Sequence, residues 1–290
     1  MNSYYIPLDN RAILTLKGDD ARSFLQGIIT NDINKVNSTQ SIYTCLLTPQ
    51  GKFLYDFFIA ELNGDLIIDC EKSRKDELVK KLMMYRLRSK VSIEDISDKF
   101  QIAALVGENV LKQDGLVSNS PGKTISFCKG VAFIDPRTDK MFARSVIERS
   151  NDYKSFEAKG FVLGSIEDYE YLRIANAVPN GIDDMLPDKS FPLHNRMDEL
   201  NAIDFKKGCY VGQEVTARSK HRGNIRKSLF VISESESAFP EIGSALTVNN
   251  GKTAGNILSR AKDKALAILD KDVLQEENIV FSEGKSFKVI

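Results

Sequence analysis

The chain contains no tryptophan, only two histidines and only four cysteines among its 290 residues. The cysteines are widely spaced, and no two of them form the CxxC pair that is typical of zinc and cluster sites: Cys45, Cys70, Cys128 and Cys209. A catalytic zinc usually has three protein ligands, so the isolated His194 and His221 do not indicate one either. The sequence therefore predicts no resident metal site.

The chain also lacks net charge and long apolar runs. The 40 Lys and Arg residues balance the 40 Asp and Glu residues, so no global field draws the molecule to nucleic acid or to a membrane surface. No stretch approaches the roughly 20 apolar residues of a membrane-spanning helix. Residues 1–10 lack the basic and apolar regions of a signal peptide and are too poor in arginine for a transit peptide. Together with the unpaired cysteines, these absences predict a cytoplasmic location.

What is present is a mixture of strand and helix patterns that is typical of an α+β fold. Residues 41–47, 52–61 and 65–70 predict three strands, with a strong hairpin signal at Asn63-Gly64. Residues 73–86 predict an amphipathic helix, and a similar succession of strands and helices begins near residue 101. From Arg226, short strands and turns predict a small closed barrel. We therefore expect two related antiparallel α+β modules, approximately 1–95 and 96–225 and open to interleaving, followed by a β-barrel over 226–290.

The most informative segment is residues 207–214, KGCYVGQE, which holds one cysteine between glycines just before a predicted helix. Residues 212–222 can form about three helical turns, and Gly223 is a natural stop. Cys209 would lie at or just before the helix N-terminus, where the dipole and the nearby Lys207 favour thiolate over thiol. The alternative is a buried, inert cysteine in a glycine-rich turn.

Residues 207–229, KGCYVGQEVTARSKHRGNIRKSL, resemble the signature segment of the YgfZ family, which includes mitochondrial proteins for late iron–sulfur cluster assembly. Shorter segments across almost the whole chain also resemble that family: residues 18–21, 24–27, 30–32, 47–52, 85–91, 135–137 and 178–181. The resemblance implies a tetrahydrofolate-binding fold shared with the glycine-cleavage T-protein, with the folate in a central cavity between the two modules. It also implies a role in maturing or repairing iron–sulfur enzymes, including those that modify tRNA.

In this family setting Cys209 would be the essential thiol, acting as a nucleophile, as a one-carbon acceptor or as a transient ligand shared with a partner protein. Lys207 would tune that thiol. The cavity wall and the folate site would include Tyr210, Gln213, Glu214 and Arg218, the last because the glutamyl carboxylates of folate favour a cation. Two alternatives stay open for the charged helix: a solvated basic end with an i,i+4 salt bridge from Glu214 to Arg218, and a tRNA-binding patch.

Two departures from the related families bear on mechanism. The family usually carries a glutamate where this chain has His194. If that glutamate braces the cavity, His194 must do so differently, and the charge of the cavity becomes dependent on pH near neutrality. Residues 171–176, YLRIAN, lack the glutamate that the T-protein has there, and the segment around Cys209 is foreign to that enzyme. Glycine-cleavage activity is therefore not expected.

The sequence thus predicts a monomeric, tetrahydrofolate-binding accessory factor for iron–sulfur protein maturation or repair. Its partners would be iron–sulfur assembly proteins or client enzymes, and binding to a membrane is not expected. The alternative is a folate-dependent aminomethyl- or methyltransferase of the T-protein type, which turnover of a protein-bound aminomethyl donor would reveal. A module that contacts tRNA directly is the third alternative, and steeply salt-dependent RNA binding would reveal it.

Overall fold

A computed structural model describes residues 3–108, 110–116, 119–151, 153–223, 225–234, 239–274 and 278–290. The first part of the chain forms six strands and two helices: β1 (Ser3–Pro7), β2 (Arg11–Lys17), α1 (Ala21–Gln26), β3 (Ile42–Leu47), β4 (Phe53–Leu62), β5 (Asp65–Glu71), α2 (Lys75–Arg86) and β6 (Ser92–Asp95). The next part forms five strands and three helices: β7 (Phe100–Val106), β8 (Thr124–Phe127), β9 (Gly130–Ile134), β10 (Ala143–Glu148), α3 (Lys154–Glu157), β11 (Phe161–Leu163), α4 (Ile166–Ala175) and α5 (Gln213–Arg222).

The last part forms the barrel, whose elements are β12 (Lys227–Ser233), β13 (Ala245–Thr247), β14 (Thr253–Ala261), β15 (Lys264–Asp270), α6 (Lys271–Leu274), β16 (Ile279–Ser282) and β17 (Lys285–Val289). Its strands follow the order β12-β15-β14-β13-β16-β17, and β17 returns to pair with β12, with Ile232 opposite Val289. Within the described residues, closure leaves no long unpaired edge, and apolar side chains such as Leu246 and Phe287 fill the interior.

The first sheet is antiparallel and has the order β3-β4-β5-β2-β6. Its β4–β5 hairpin turns at Asn63 and Gly64, which have φ of 53° and 87°, while Leu62 pairs with Asp65 across the turn. Two positive φ values are what a two-residue hairpin of the primed type requires, and an Asn-Gly pair supplies them at low cost. The hairpin predicted from sequence is therefore confirmed.

The second sheet has the order β11-β1-β7-β10-β9-β8. The first strand of the chain, β1, belongs to this sheet. It pairs antiparallel with β7 but parallel with β11, where Ser3 lies opposite Phe161. The antiparallel pattern expected of the module is interrupted at this pair, because β11 follows a helical crossover rather than a hairpin. Since β1 comes from the start of the chain, the two parts share a sheet. A boundary near residue 95 stays a prediction.

The two sheets face one another and enclose the main apolar core. That core joins side chains such as Ile13 and Phe58 of the first sheet to Ile102 and Phe133 of the second. Helices α1 and α2 cover the outer face of the first sheet, and α3 covers the second. The barrel packs on α4 through Ile174 and neighbouring strands. The expected α+β class with a terminal barrel is confirmed. Among the residues that the structure describes, no helix is both long and apolar enough to cross a bilayer.

Candidate functional site

The segment that contains Cys209 is tied by hydrogen bonds to the connection between α1 and β3. The Val211 N–H donates to the carbonyl of Gly27 at 3.2 Å, and the Asp204 N–H donates to the carbonyl of Thr30 at 3.0 Å. In the other direction, the Thr30 hydroxyl donates to the carbonyl of Ala202 at 2.6 Å. Two segments that lie far apart in sequence therefore form one unit in space.

Lys207 is the central tie between these segments. Its buried Nζ donates to the carbonyl oxygens of Gln26, Ile29 and Asn31 at 2.8, 2.7 and 2.9 Å. The same ammonium lies 5.2 Å from the ring centroid of Tyr210. An ammonium has three N–H donors, so these three carbonyls use all of them. Lys207 thus bonds to one carbonyl at the C-terminus of α1 and to two in the connection that follows it.

The surroundings of Lys207 also act on its charge. Burial lowers the pKa of its ammonium to about 8, against the opposing attraction of Asp32 and Asp204. The donors of Lys207 are directed to carbonyl oxygens of the α1 connection. Its expected tuning of the Cys209 thiol stays a prediction, whereas its contribution to the shape of the segment follows from its contacts.

Two glycines bring a third segment, residues 47–52, against the same unit. Gly212 has φ of 85°, and a Cβ added there would lie 2.5 Å from the carbonyl oxygen of Thr48. Gly51 has φ of 72°, and a Cβ there would lie 3.0 Å from Cβ of Val215. Only glycine fits both the left-handed backbone and the close approach. The segments around residues 24–32, 47–52 and 207–214 therefore meet, and all three carry the resemblance described above.

Cys209 is exposed at the surface of this unit. Helix α5 begins at Gln213 with Gly212 as its N-cap, so the thiol lies three residues before the cap and not in the first turn. By contrast, Cys45 and Cys70 are buried in strands of the first sheet. The alternative of a buried, inert residue therefore does not describe Cys209.

The four residues predicted to bind the cofactor take different positions. Tyr210 is buried in the main core, and burial raises the pKa of its phenol. Gln213 is the first residue of α5, while Glu214 and Arg218 form an i,i+4 ion pair on the exposed face of that helix. That pair is the alternative noted from the sequence. None of these four residues lines the cavity described next, so their role as folate ligands stays a prediction without geometric support.

A polar cavity lies between the two sheets. Asp56 of β4 reaches it, and the Tyr43 hydroxyl donates to its carboxylate at 2.7 Å. Asp135 and Arg137 form a buried pair beside it, with Nη2 of Arg137 2.8 Å from Oδ2 of Asp135. Burial opposes ionisation of Asp135, but the guanidinium of Arg137 prevails and holds the pKa of that carboxyl below its usual range.

A second buried network links the sheets at the same cavity. Asp69 of β5 accepts from Nε of Arg11 at 2.7 Å and from Nη1 of Arg144 at 2.9 Å. Arg144 belongs to β10 of the other sheet, and its Nη2 also donates to the Tyr169 hydroxyl at 3.0 Å. The same hydroxyl accepts from Arg137 at 3.0 Å. Each buried charge therefore has an opposite charge beside it, as burial requires.

Apart from residues 135–137, the sequence reasoning missed this set of charged side chains. Asp56 and Asp69 stand among apolar residues in strands β4 and β5. Arg173 of α4 is likewise buried and donates to Asp184 at 2.7 Å. A carboxylate within a core strand is rarely tolerated without a partner, so the positions of Asp56 and Asp69 indicate buried charged partners. The identity of each partner was not available from spacing, because the partners lie on other elements.

His194 lies elsewhere. It lines a separate apolar pocket and stacks edge-on against Phe191, with ring centroids 5.3 Å apart. Burial lowers the pKa of its imidazole, and the ammonium groups of Lys227, Lys52 and Lys271 lower it further. The expectation that His194 sets the charge of the central cavity near neutral pH is therefore wrong, because it does not line that cavity and favours its neutral form.

Comparison with known proteins finds a matching protein family and relatives that are iron–sulfur cluster assembly factors. The family described as GCVT N-terminal domain matches residues 9–112. The iron–sulfur cluster assembly factor IBA57 homologue of Neurospora crassa is 32% identical over 243 residues, which is 81% of this chain and 55% of that protein. IBA57 of Mus musculus is 29% identical over 287 residues, which is 92% of this chain and 78% of that protein. The chain thus spans about half the length of the fungal relative and more of the mouse one.

These relatives, and the human IBA57 at 29% identity over 281 residues, are mitochondrial proteins. This finding corrects the cytoplasmic location that the sequence predicted. Composition and cysteine spacing describe the folded chain and contain no address, so they could not identify the compartment.

Among solved structures, the glycine cleavage system aminomethyltransferase T from Bartonella henselae superimposes with a TM-score of 0.80 at 15% identity. The match covers 99% of this chain and 84% of that one. At this identity the likeness concerns the fold, and it includes both sheets and the barrel. The chain therefore has the fold of aminomethyltransferase T, and residues 9–112 match the GCVT N-terminal domain in sequence.

Proposed function

We propose that this chain is an accessory factor in the maturation or repair of iron–sulfur proteins, with Cys209 as its working thiol and a reduced folate as its ligand. The relatives support the first part, since they are iron–sulfur cluster assembly factors. Client enzymes of such a factor would include those that modify tRNA. The folate belongs to the proposal because the chain has the aminomethyltransferase T fold.

The single observation that carries the proposal is the construction around Cys209. Three segments distant in sequence meet there, and the buried Lys207 and the close-packed Gly212 hold them together. A structural segment would have no need to present its cysteine, yet Cys209 is exposed while the cysteines of the neighbouring sheet are buried. The arrangement therefore holds one thiol outward on a rigid base.

This geometry favours one of the three roles considered for the thiol. A nucleophile or one-carbon acceptor would have to reach a folate in the cavity, and Cys209 is not among the residues that line it. A transient ligand for a cluster that a partner carries needs only exposure. One thiolate is a quarter of the usual four-cysteine ligand set, so the partner would supply the others. The cluster is then cargo and not a resident cofactor.

The cavity suits a tetrahydrofolate in chemistry but not in volume. The carboxylate of Asp56 is the kind of group that can accept two hydrogen bonds from the edge of a pterin. The cavity volume, however, is about 30 Å³, room for about two water molecules. A wider cleft of about 370 Å³, lined in part by Asn31 and Asn201, also borders Tyr43. A folate would therefore use the cleft, or enter the cavity after its side chains move apart.

The decisive experiment on the thiol is complementation. In cells that lack the protein, the Cys209→Ser variant should fold normally and fail to restore the activity of iron–sulfur enzymes. Cys128→Ser is the matched control, because Cys128 is only half-buried and lies far from Cys209 in the sequence. If Cys209→Ser restores activity as well as the control does, the thiol has no role and the proposal is wrong.

The folate is tested separately by thermal unfolding. Tetrahydrofolate at about a millimolar should raise the melting temperature, since a ligand that binds only the native state stabilises it by mass action. Asp56→Asn should abolish the shift if the cavity is used, whereas the exposed Asp65→Asn should retain it. Turnover of a protein-bound aminomethyl donor would instead establish the transferase alternative.

A further inference from the structure

A small apolar pocket lies beside the helix that follows Cys209. We call it the His194 pocket. Its volume is about 110 Å³. Its walls come from a short 3-10 helix (Pro192–Asn195) with the residue before it, from α5, and from the chain between α5 and the barrel: Phe191, Leu193, His194, Val215, Ser219 and Ile225. A cavity of about 150 Å³ accommodates a benzene molecule. The His194 pocket is therefore the right size for one branched aliphatic side chain and too small for an indole.

Three lysines lie near this pocket. Lys52 places its Nζ 3.4 Å from the ring centroid of Phe191, and its hydrogen-bond acceptor is the carbonyl of Lys189. Lys227 and Lys271 act on His194 together with Lys52. Within the described part of the chain, none of these three lysines forms an ion pair with a carboxylate. The pocket is thus apolar inside and has three lysines near it, with Asp270 opposite one of them, Lys227, in the barrel.

The position of the pocket relates it to the thiol. Val215 and Ser219 belong to α5, whose N-cap Gly212 is three residues after Cys209. Gly51 joins the pocket to the same unit, because it lies against Val215 and Gly212. Whatever occupies the pocket therefore lies along the helix that leads away from the exposed thiol.

We propose that the His194 pocket is a docking site for the partner protein, and that it receives one leucine, isoleucine or valine side chain from an acidic segment of that partner. The proposal rests on the proposed function, since it names the kind of partner that would share the Cys209 thiol. An apolar anchor in a desolvated pocket supplies most of the affinity of such contacts, while charges at the rim set specificity and association rate. The three lysines favour a segment that carries Asp or Glu next to its anchor.

Binding is tested by NMR with a defined probe, the acetylated and amidated peptide Asp-Glu-Leu-Glu-Asp. The chain has two histidines, so the imidazole signals of His194 and His221 are easily resolved and assigned with His→Gln variants. We expect the peptide to shift the signal of His194 and to raise its pKa, because carboxylates approach the ring. His221 is exposed near the end of α5 and should shift much less. A peptide with Ser in place of Leu, and one with Lys in place of all acidic residues, should leave His194 unchanged.

Variants then identify the surface. Ser219→Phe fills the pocket and should abolish the shift, whereas Ser219→Ala should retain it. Lys227→Glu, at an exposed rim position, should weaken binding about two- to fivefold, as expected for one surface charge. If the acidic peptide fails to shift His194 at millimolar concentration, or the serine peptide shifts it equally, the proposal is overturned.

The cellular arm separates this proposal from the proposed function. Ser219→Phe should fail to restore iron–sulfur enzyme activity while its melting temperature and its rate of Cys209 alkylation stay at the wild-type values. If Cys209→Ser fails and both Ser219→Phe and Lys227→Glu succeed, docking at the His194 pocket is refuted and the role of the thiol stands. If Cys209→Ser succeeds, the proposed function falls first.

Discussion

At the scale of single residues, the four cysteines differ mainly in exposure. Cys209 is exposed, Cys128 is half-buried, and Cys45 and Cys70 are buried. Burial raises the pKa of the Cys70 thiol to about 12, with the nearby Arg11 opposing it. Burial also raises the pKa of Cys45 well above its ordinary value, and Asp56 adds to that effect. Since alkylation needs an accessible thiolate, these differences predict an order of reactivity.

Iodoacetamide should therefore label Cys209 of the native protein first, with Cys45 and Cys70 protected. The measurement is peptide mass spectrometry of samples quenched over time at several pH values. Denatured protein, in which all four cysteines should react, is the control. Equal labelling of Cys45 or Cys70 under native conditions would contradict the structure.

Lys207 shows how a residue can support a site without touching its ligand. Lys207→Met keeps most of the side-chain volume but leaves the carbonyls of Gln26, Ile29 and Asn31 without their donor. We expect the free energy of unfolding to fall by about 1–3 kcal/mol, the cost of unsatisfied buried polar groups. Urea denaturation measures it. The neighbouring Lys206 is exposed, so Lys206→Met should change stability by less than about 0.5 kcal/mol. Similar losses of unfolding free energy for both variants would show that the three hydrogen bonds of Lys207 do not stabilise the fold.

At the scale of elements, the segment before α5 depends on two glycines of different kinds. Gly212 has positive φ and is packed against Thr48, whereas a Cβ at Gly208 would meet no atom within 4 Å. Gly212→Ala should therefore destabilise the protein by at least about 1–3 kcal/mol, from backbone strain plus the clash. Gly208→Ala flanks the same cysteine and should be nearly neutral. Thermal unfolding of the pair distinguishes local strain from a general intolerance of side chains around Cys209.

The loss at Gly212 should also appear in the function of the segment. Displacing residue 212 would move the start of α5 and with it the position of the thiol. We expect Gly212→Ala to complement poorly and Gly208→Ala to complement well. Normal complementation by a destabilised Gly212→Ala would show that the precise form of this segment is not required.

At the scale of the whole molecule, Asp69 connects the two sheets. It pairs with Arg11 in its own sheet and with Arg144 in the other, and all three side chains are largely buried. Asp69→Asn would leave the buried guanidinium of Arg144 without its carboxylate and Arg11 with only the 3.4 Å contact to Glu71. Removing one member of a buried network typically costs about 3–5 kcal/mol. Asp65→Asn on the same strand removes an exposed carboxylate and should cost less than about 1 kcal/mol. Urea denaturation of both variants tests this, and equal small losses would show that the sheets do not depend on the network.

The sequence by itself determined the local elements of this protein and the identity of its most informative segment. The Asn63-Gly64 turn, the helix after Gly212 and the terminal barrel follow from backbone preferences and apolar periodicity, which act over a few residues. Helix α5 begins at Gln213, one residue after the predicted start, because Gly212 takes a left-handed conformation. The exposure of Cys209 was one of two open alternatives until its neighbours were known.

Only the tertiary structure decided which distant groups meet. It pairs β1 with the second sheet, gives the ammonium of Lys207 to three carbonyls of the α1 connection, and places His194 in a pocket apart from the central cavity. It also supplies the partners of Asp56 and Asp69, which spacing along the chain could not name. The physical reason is that hydrogen bonds and ion pairs depend on distances of about 3 Å in space, and those distances arise from packing between elements that the chain order leaves open.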